Sequence, residues 1–320
     1  MKRSRAQRWL YPLLALAMLV FVACSGAGSQ DAANSGQETR TIEHAMGTAE
    51  VPQNPERVVV LDYGAFENVL ALGVQPVGAV LGGNVSEQPN YIQKRLKREI
   101  PEFTPGSPNV ERLLKLNPDL IVGSKSWNED IYDQLSQIAP TVLTETNNRE
   151  WQSNLKFHGR VFNRVDRART LLERYRGRIE RFRDKSQNLD SLEVSTVRIF
   201  PGRLRLYLKD SFSGEILQAT GLKRPPAQDK DIYKKEISRE QFELLEGDVL
   251  FAMTLGSEAR EAFEDFQSDP LWSQLSVVQN ERVYQVPGEY WVGSSILAAN
   301  RVIDDLEGYL LDKAPTKSGV

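Results

Sequence analysis

Apolar residues at Val161, Val165, Ala168, Leu172, Tyr175, Ile179 and Phe182 recur at alternating steps of four and three, the period of one buried stripe on an α-helix. The spacing predicts a helix over about 162–185, a rod of roughly 33 Å at ~1.5 Å per residue. Its remaining surface is almost wholly Arg, Glu and Asp. On either side the pattern changes to short continuous apolar runs separated by helical periods. Before the rod, strands are expected over 57–61, 77–81, 120–122 and 141–143, with helices over 65–72, 91–98, 109–116 and 129–137. After it, strands are expected over 194–200, 204–208, 249–253 and 283–286, with helices over 214–219, 238–245, 270–275 and 294–311. Short runs apolar on both faces, alternating with helices, predict α/β units around mainly parallel sheets.

The two halves also repeat. Asn109-Val-Glu-Arg-Leu-Leu-Lys-Leu-Asn-Pro-Asp-Leu-Ile-Val122 lies without a gap over Ser238-Arg-Glu-Gln-Phe-Glu-Leu-Leu-Glu-Gly-Asp-Val-Leu-Phe251. Each is a helix cap, a Glu two residues on, a spaced apolar set, a breaker, an Asp and an apolar run. Phe66–Gly73 matches Gly214–Gly221 more loosely. Two copies imply two similar lobes with the rod between them rather than a solenoid.

The amino end reads differently. Lys2, Arg3, Arg5 and Arg8 precede an apolar stretch over 9–23, the form of a secretory signal and short for a spanning helix. It closes on Phe21-Val-Ala-Cys24, which resembles a bacterial lipobox with Phe21 where Leu is usual. Residues 1–23 are therefore expected to be a signal peptide, with Cys24 as the lipidated first residue of the mature chain. The alternatives are an uncleaved anchor and cleavage elsewhere. Residues 24–50 are Ser, Gly, Ala, Asn and Gln-rich and read as a flexible tether, with order beginning near Val51. Loss of the four amino-terminal cations and no acid takes the net charge from −3 to −7, against nucleic acid as a partner. Cys24 is the single cysteine, and His44 and His158 are the only histidines. That excludes an internal disulfide and a Cys- or His-built metal site.

In parallel α/β sheets ligands sit beyond the carboxyl ends of the strands. The residues expected there include Tyr63, Lys125, Trp127, Tyr290 and Trp291, with Arg198, Arg203, Arg205 and Tyr207 on the first strands of the second half. Guanidinium forks with stiff aromatic walls suit an anionic or polar ligand of some size. Core aromatics and surface ion pairs are the plain structural alternative. Glu111 and Glu240 hold the same place in the two repeats; an acid in a first helical turn already favours the helix dipole, and a matched pair also suits a partner with two basic sockets. Asp62, Asp119 and Asp248 adjoin strands without a paired base, and no hydrolase, phosphate-loop or zinc motif is present. No catalytic set emerges.

Taken in order, Pro55-x-Arg-Val-Val-Val60, Ala71-Leu-Gly-Val-x-Pro-Val-Gly78, Leu116-Asn-Pro-Asp-Leu-Ile121 and Ile138-Ala-Pro-Thr-Val142 resemble the iron-siderophore and vitamin B12 periplasmic binding proteins of ABC importers. Arg205-Leu-Tyr207, Ser211-Phe-Ser-Gly214, Gly221-Leu-Lys-Arg-Pro-Pro226, Pro270-Leu-Trp272 and Arg282-Val-Tyr284 resemble its ferric-siderophore branch. The resemblance implies two Rossmann-like lobes (51–161 and 188–314) joined by a single long helix (162–187), the class III arrangement. It implies a non-enzymatic, monomeric, lipid-anchored protein outside the cytoplasmic membrane. Such a protein holds a ferric siderophore in the inter-lobe cleft and hands it to an ABC permease. Iron then arrives as a chelate, with no cofactor of the protein's own. By motif, Glu111 and Glu240 fall on the permease-docking positions, and Arg198, Arg205 and Trp291 on positions around the ligand. Cobalamin or haem is the alternative cargo, and a secreted two-lobe α/β enzyme the alternative from another class.

Overall fold

The computed structural model describes residues 38–81, 85–146 and 150–312; the expected signal peptide and Cys24 lie outside them. The described chain opens with a hairpin of β1 (Thr39–His44) and β2 (Gly47–Pro52). This corrects the expectation of a tether up to residue 50. The hairpin was illegible because its strands carry little apolar content; Ile42, Val51 and Pro52 are its buried residues. Contacts beyond its own strands also hold it. Arg40 donates to Gln53 O at 2.8 Å and, at long range, to the carbonyls of Arg160 and Val161.

The first lobe is built on β3 (Val58–Val60), β4 (Gly78–Ala79), β5 (Leu120–Ser124) and β6 (Thr141–Thr144), all parallel, in the order β4-β3-β5-β6. The second is built on β7 (Val194–Phe200), β8 (Arg203–Tyr207), β9 (Lys234–Ile237), β10 (Val249–Thr254) and β11 (Val283–Pro287), in the order β11-β10-β7-β8-β9. Here β7, β10 and β11 run parallel, β8 pairs antiparallel with β7, and β9 pairs antiparallel with β8 and so runs in the direction of β7. Strand β9 and the helices Trp151–Val161 and Gly256–Gln267 have no counterpart in the sequence reading. The helix expected over 91–98 is a single turn, Asn90–Gln93, and the last helix is Ile296–Leu306 followed by a π-turn.

The repeat has a physical basis. Asn109 caps its helix by accepting from Arg112 N at 2.9 Å, and Ser238 with Gln241 forms a capping box on its own turn. The repeated aspartates do one job twice. Asp119 accepts from the backbone N–H of Glu56 and Arg57, directly ahead of β3. Asp248 accepts from that of Glu193, directly ahead of β7. Each carboxylate fixes the register of the neighbouring parallel strand.

The connecting helix spans Val165–Lys185 and buries Ala168, Leu172, Tyr175, Ile179 and Phe182. It starts three residues later than the pattern predicts. Asn163 takes a left-handed φ of 53°, which ends the preceding helix, so Val161 belongs to that helix and Val165 is 50 % exposed. The helix does not work alone. One apolar core runs from Val58 and Val60 through Leu172 and Ile179 to Val194, Phe251 and Leu306, covering the inner faces of both sheets. Each outer sheet face has its own smaller core, around Leu113 and Leu135 in one lobe and around Phe242 and Trp272 in the other. The C-terminal helix lies in the shared core, and Arg178 ties the connecting helix to it through Asp304 at 2.7 Å and Glu307 at 2.8 Å.

Candidate functional site

Both sheets reverse strand order beside their central strand, between β3 and β5 in one lobe and between β7 and β10 in the other, and such reversals open a crevice at the carboxyl ends. In the second lobe that edge is formed by a tight hairpin. Pro201-Gly202 turns β7 into β8, with Gly202 at φ 71°, a value glycine reaches without strain. Across the turn Arg198 pairs with Arg205 and Phe200 with Arg203. Strand alternation then sends Val197, Ile199, Leu204 and Leu206 into the outer core and Arg198, Phe200, Arg203, Arg205 and Tyr207 to the opposite face.

The result is a cluster of three guanidinium groups around one ring. The Cζ atoms of Arg198, Arg203 and Arg205 lie 4.5, 4.4 and 4.8 Å from the Phe200 centroid, within cation–π range. Glu236 on β9 meets them, 2.6 Å from Arg205 Nε and 3.6 Å from Arg203 Nη1. Among the described residues it is their one ion-pair partner, so three positive charges share one negative charge. Arg198 donates to the Tyr207 hydroxyl at 3.4 Å, and its Nε is buried without a partner. Like charges held this close with a donor unmet are set for an anion.

The first lobe presents a different surface. Asp62, at the exit of β3, caps the helix Tyr63–Ala71 by accepting from Ala65 N at 2.8 Å. It also accepts from Ser124 Oγ at 3.2 Å, joining the loop after β3 to the end of β5. Burial pushes the Asp62 carboxyl up to about 6, against the opposing pull of those hydrogen bonds. Just beyond it stand Tyr63, 44 % exposed, and Trp127, 42 % exposed. These two, with Leu255 at the end of β10, are large apolar side chains left exposed at strand carboxyl ends. Lys125 is engaged by Glu145 at 3.3 Å in a solvent-exposed pair.

Two expected ligand walls are corrected. Trp291 is fully buried, stacked on Phe251 at 4.6 Å, with Nε1 donating to Asp305 at 2.8 Å. The turn Gly288–Trp291 after β11 tucks the indole into the shared core instead of the cleft. Tyr290 is half-buried and donates to the same carboxylate at 2.9 Å, with its ring edge-on to Tyr91. Tyr207 stays with the arginines but is buried behind Arg198. Phe200, Glu236 and Leu255 were missed by the sequence reading. The alternation Arg-x-Phe-Pro-Gly-Arg-x-Arg-x-Tyr was the signal for Phe200; for Glu236 there was none, because β9 itself was not legible. His158 is buried beside Asn68, and burial lowers it to about 3, so it is neutral. No grouping of three or more His, Cys, Asp or Glu able to hold a metal occurs among the described residues.

The geometry has close relatives. The periplasmic binding protein family matches residues 58–290. The chain is 35 % identical to the Bacillus subtilis (strain 168) protein described as a probable siderophore-binding lipoprotein, YfiY, over 92 % of this chain and 95 % of the relative. It is 26 % identical to the Fe(3+)-citrate-binding protein YfmC of the same organism, over 87 % and 89 %. The crystal structure of Staphylococcus aureus SirA complexed with staphyloferrin B superposes with a TM-score of 0.74 at 31 % identity, covering 85 % of this chain and 98 % of that one.

Proposed function

The chain belongs to the periplasmic binding protein family, and from that premise we propose that it captures a ferric siderophore between its lobes and delivers it to an ABC permease. The observation that carries the cargo is the cluster of Arg198, Arg203 and Arg205 around Phe200. Guanidinium groups do not ligate iron, but they fork onto the anionic oxygens of a chelate's organic shell. Tyr63 and Trp127 offer the apolar surface against which the rest of that shell packs. The division favours an anionic siderophore over cobalamin or haem, for which an aromatic-dominated pocket would be expected. The metal is cargo held by its own chelator, and the protein performs no chemistry on it.

Delivery needs a docking surface and proximity to the membrane. Glu111 and Glu240 are exposed at matching positions on the two lobes, and the Ser238 hydroxyl and the local backbone N–H lower the Glu240 carboxyl, keeping it ionised. They are proposed to meet basic sockets on the permease. Lipid on Cys24 is proposed to hold the protein, as a monomer, at the outer face of the cytoplasmic membrane. Among the described residues no helix is long and apolar enough to cross a membrane.

The test is a tryptophan fluorescence titration of the purified protein with ferric citrate, ferric siderophores, cobalamin and haemin. Saturable quenching by an anionic ferric chelate, abolished in Trp127→Phe but kept in Trp272→Phe, is the expected result. A response to cobalamin or haemin alone would change the cargo, and silence across the panel would reject capture.

A further inference from the structure

Arg224 belongs to the Gly221-Leu-Lys-Arg-Pro-Pro226 segment and is only 7 % exposed. A buried guanidinium normally carries a carboxylate with it. This one has a neutral cage. Its Nη2 donates to Thr196 Oγ1 at 2.9 Å, to Tyr207 O at 2.7 Å and to Gln228 Oε1 at 2.5 Å. Its Nε and Nη1 are buried without partners. The cage is itself fixed from behind. Gln228 accepts from Thr196 N at 2.9 Å and donates to Ser195 Oγ and Leu244 O. The acid that acts on Arg224, Asp229, is bound by Lys209 at 2.9 Å. Burial lowers the guanidinium to about 10, so it remains a cation at neutral pH.

Its position relates it to the arginine cluster. Thr196 and Arg198 are two residues apart on β7 and point to one face. Tyr207 is held at both ends, its carbonyl by Arg224 and Thr196 and its hydroxyl beside Arg198 Nη1 at 3.4 Å. A charge that is costly to bury, placed one pleat below the ligand arginines and joined to them through a single tyrosine, is where a specificity device would sit.

We infer that Arg224 is a positioning residue for the anion site, setting Arg198 through Tyr207 and adding a buried positive charge that selects an anionic ligand. The inference rests on the capture reading above for its ligand, but the coupling to Arg198 is measurable without one. In ligand-free protein, the Arg198 Nε–H resonance should shift in Arg224→Gln, although the two side chains share no hydrogen bond. With ferric citrate as probe, Arg224→Gln should weaken binding about tenfold, equivalent to about 1.4 kcal/mol. It should also flatten the salt dependence of binding. Arg224→Lys keeps the charge but sets an ammonium on a shorter stem in place of the Nη2 that reaches Thr196 and Tyr207, so it should retain the salt dependence and lose only about threefold. A folded Arg224→Gln with unmoved Arg198 resonance and unchanged affinity overturns the inference. Loss of folding in Arg224→Gln transfers the decision to Arg224→Lys, where an affinity equal to the parent or a flattened salt dependence overturns it. Failure of the parent protein to bind any ferric chelate rejects the capture reading instead, and the ligand-free resonance then decides the coupling.

Discussion

Asp62 combines three duties in one side chain: it caps a helix, ties β3 to β5 and sits at the edge of the proposed cleft. Its carboxyl is raised to about 6 by burial, above its unfolded range, so the folded protein prefers the protonated acid. The stability this contributes is full below the unfolded value near pH 4 and is lost as pH rises through about 6. At pH 7.5 the ionised form should cost about 3 kcal/mol. Asp62→Asn can still cap the helix and should raise Tm at pH 7.5, with the gain vanishing by pH 4.5. A gain independent of pH would show that ionisation is not the cause. At this scale the sequence was informative where local geometry decides. Arg198, Arg203 and Arg205 were legible because a two-residue turn preserves strand alternation. Trp291 was misread because its burial depends on Asp305, Phe251 and a turn after β11, none of which a local pattern reports.

Elements show the same division between local and distant causes. The connecting helix was legible as a stripe, and its charges are ordered too. Asp166, Glu173 and Glu180 recur every seven residues on the exposed side, with Arg169, Arg176 and Arg183 three residues behind each, the spacing of i,i+3 pairs, and Asp166 pairs with Arg169. Less legible was the C-terminal helix as a second brace. Its amino end is capped by Ser295, which accepts from Ala298 N at 3.0 Å, and it also meets the first lobe. Ser295 donates to Glu67, and Asn68 Oδ1 accepts from Ile296 N at 3.4 Å. The contact is close because residue 64 has no side chain. A Cβ there would lie 2.2 Å from Ser294 Oγ and 3.0 Å from its carbonyl oxygen. Gly64→Ala should therefore cost about 1–3 kcal/mol by overpacking, read as a lower Tm, and Ser294→Gly in the same chain should recover part of it. A neutral Gly64→Ala would mean that the lobes are not seated on each other there.

Across the whole molecule, the shared core makes the lobes one packed body along the connecting and C-terminal helices. Closure on a ligand is then a small adjustment at the strand ends rather than a swing of independent domains, since packed cores resist continuous deformation. The permease would meet a nearly fixed spacing of Glu111 and Glu240. Charge reversal at both should abolish import in cells while leaving ferric chelate affinity unchanged. Reduced affinity in the purified double variant would show that these residues act at the cleft instead. The matched glutamates were legible from the repeat, and their exposure on both lobes agrees with it.

By itself the sequence determined the α/β class, the helix between two similar halves, the repeated caps, and the arginine face of β7 and β8. All of these follow from periodicity and from contacts within a few residues or between adjacent strands. Only the tertiary structure decided that residues 39–52 form a hairpin, that Trp291 belongs to the core, that Glu236 opposes the arginines, and that Arg224 is buried beneath them. Each of those depends on partners far away in sequence. Burial and charge pairing are properties of the space the folded chain encloses, and local spacing carries no record of it.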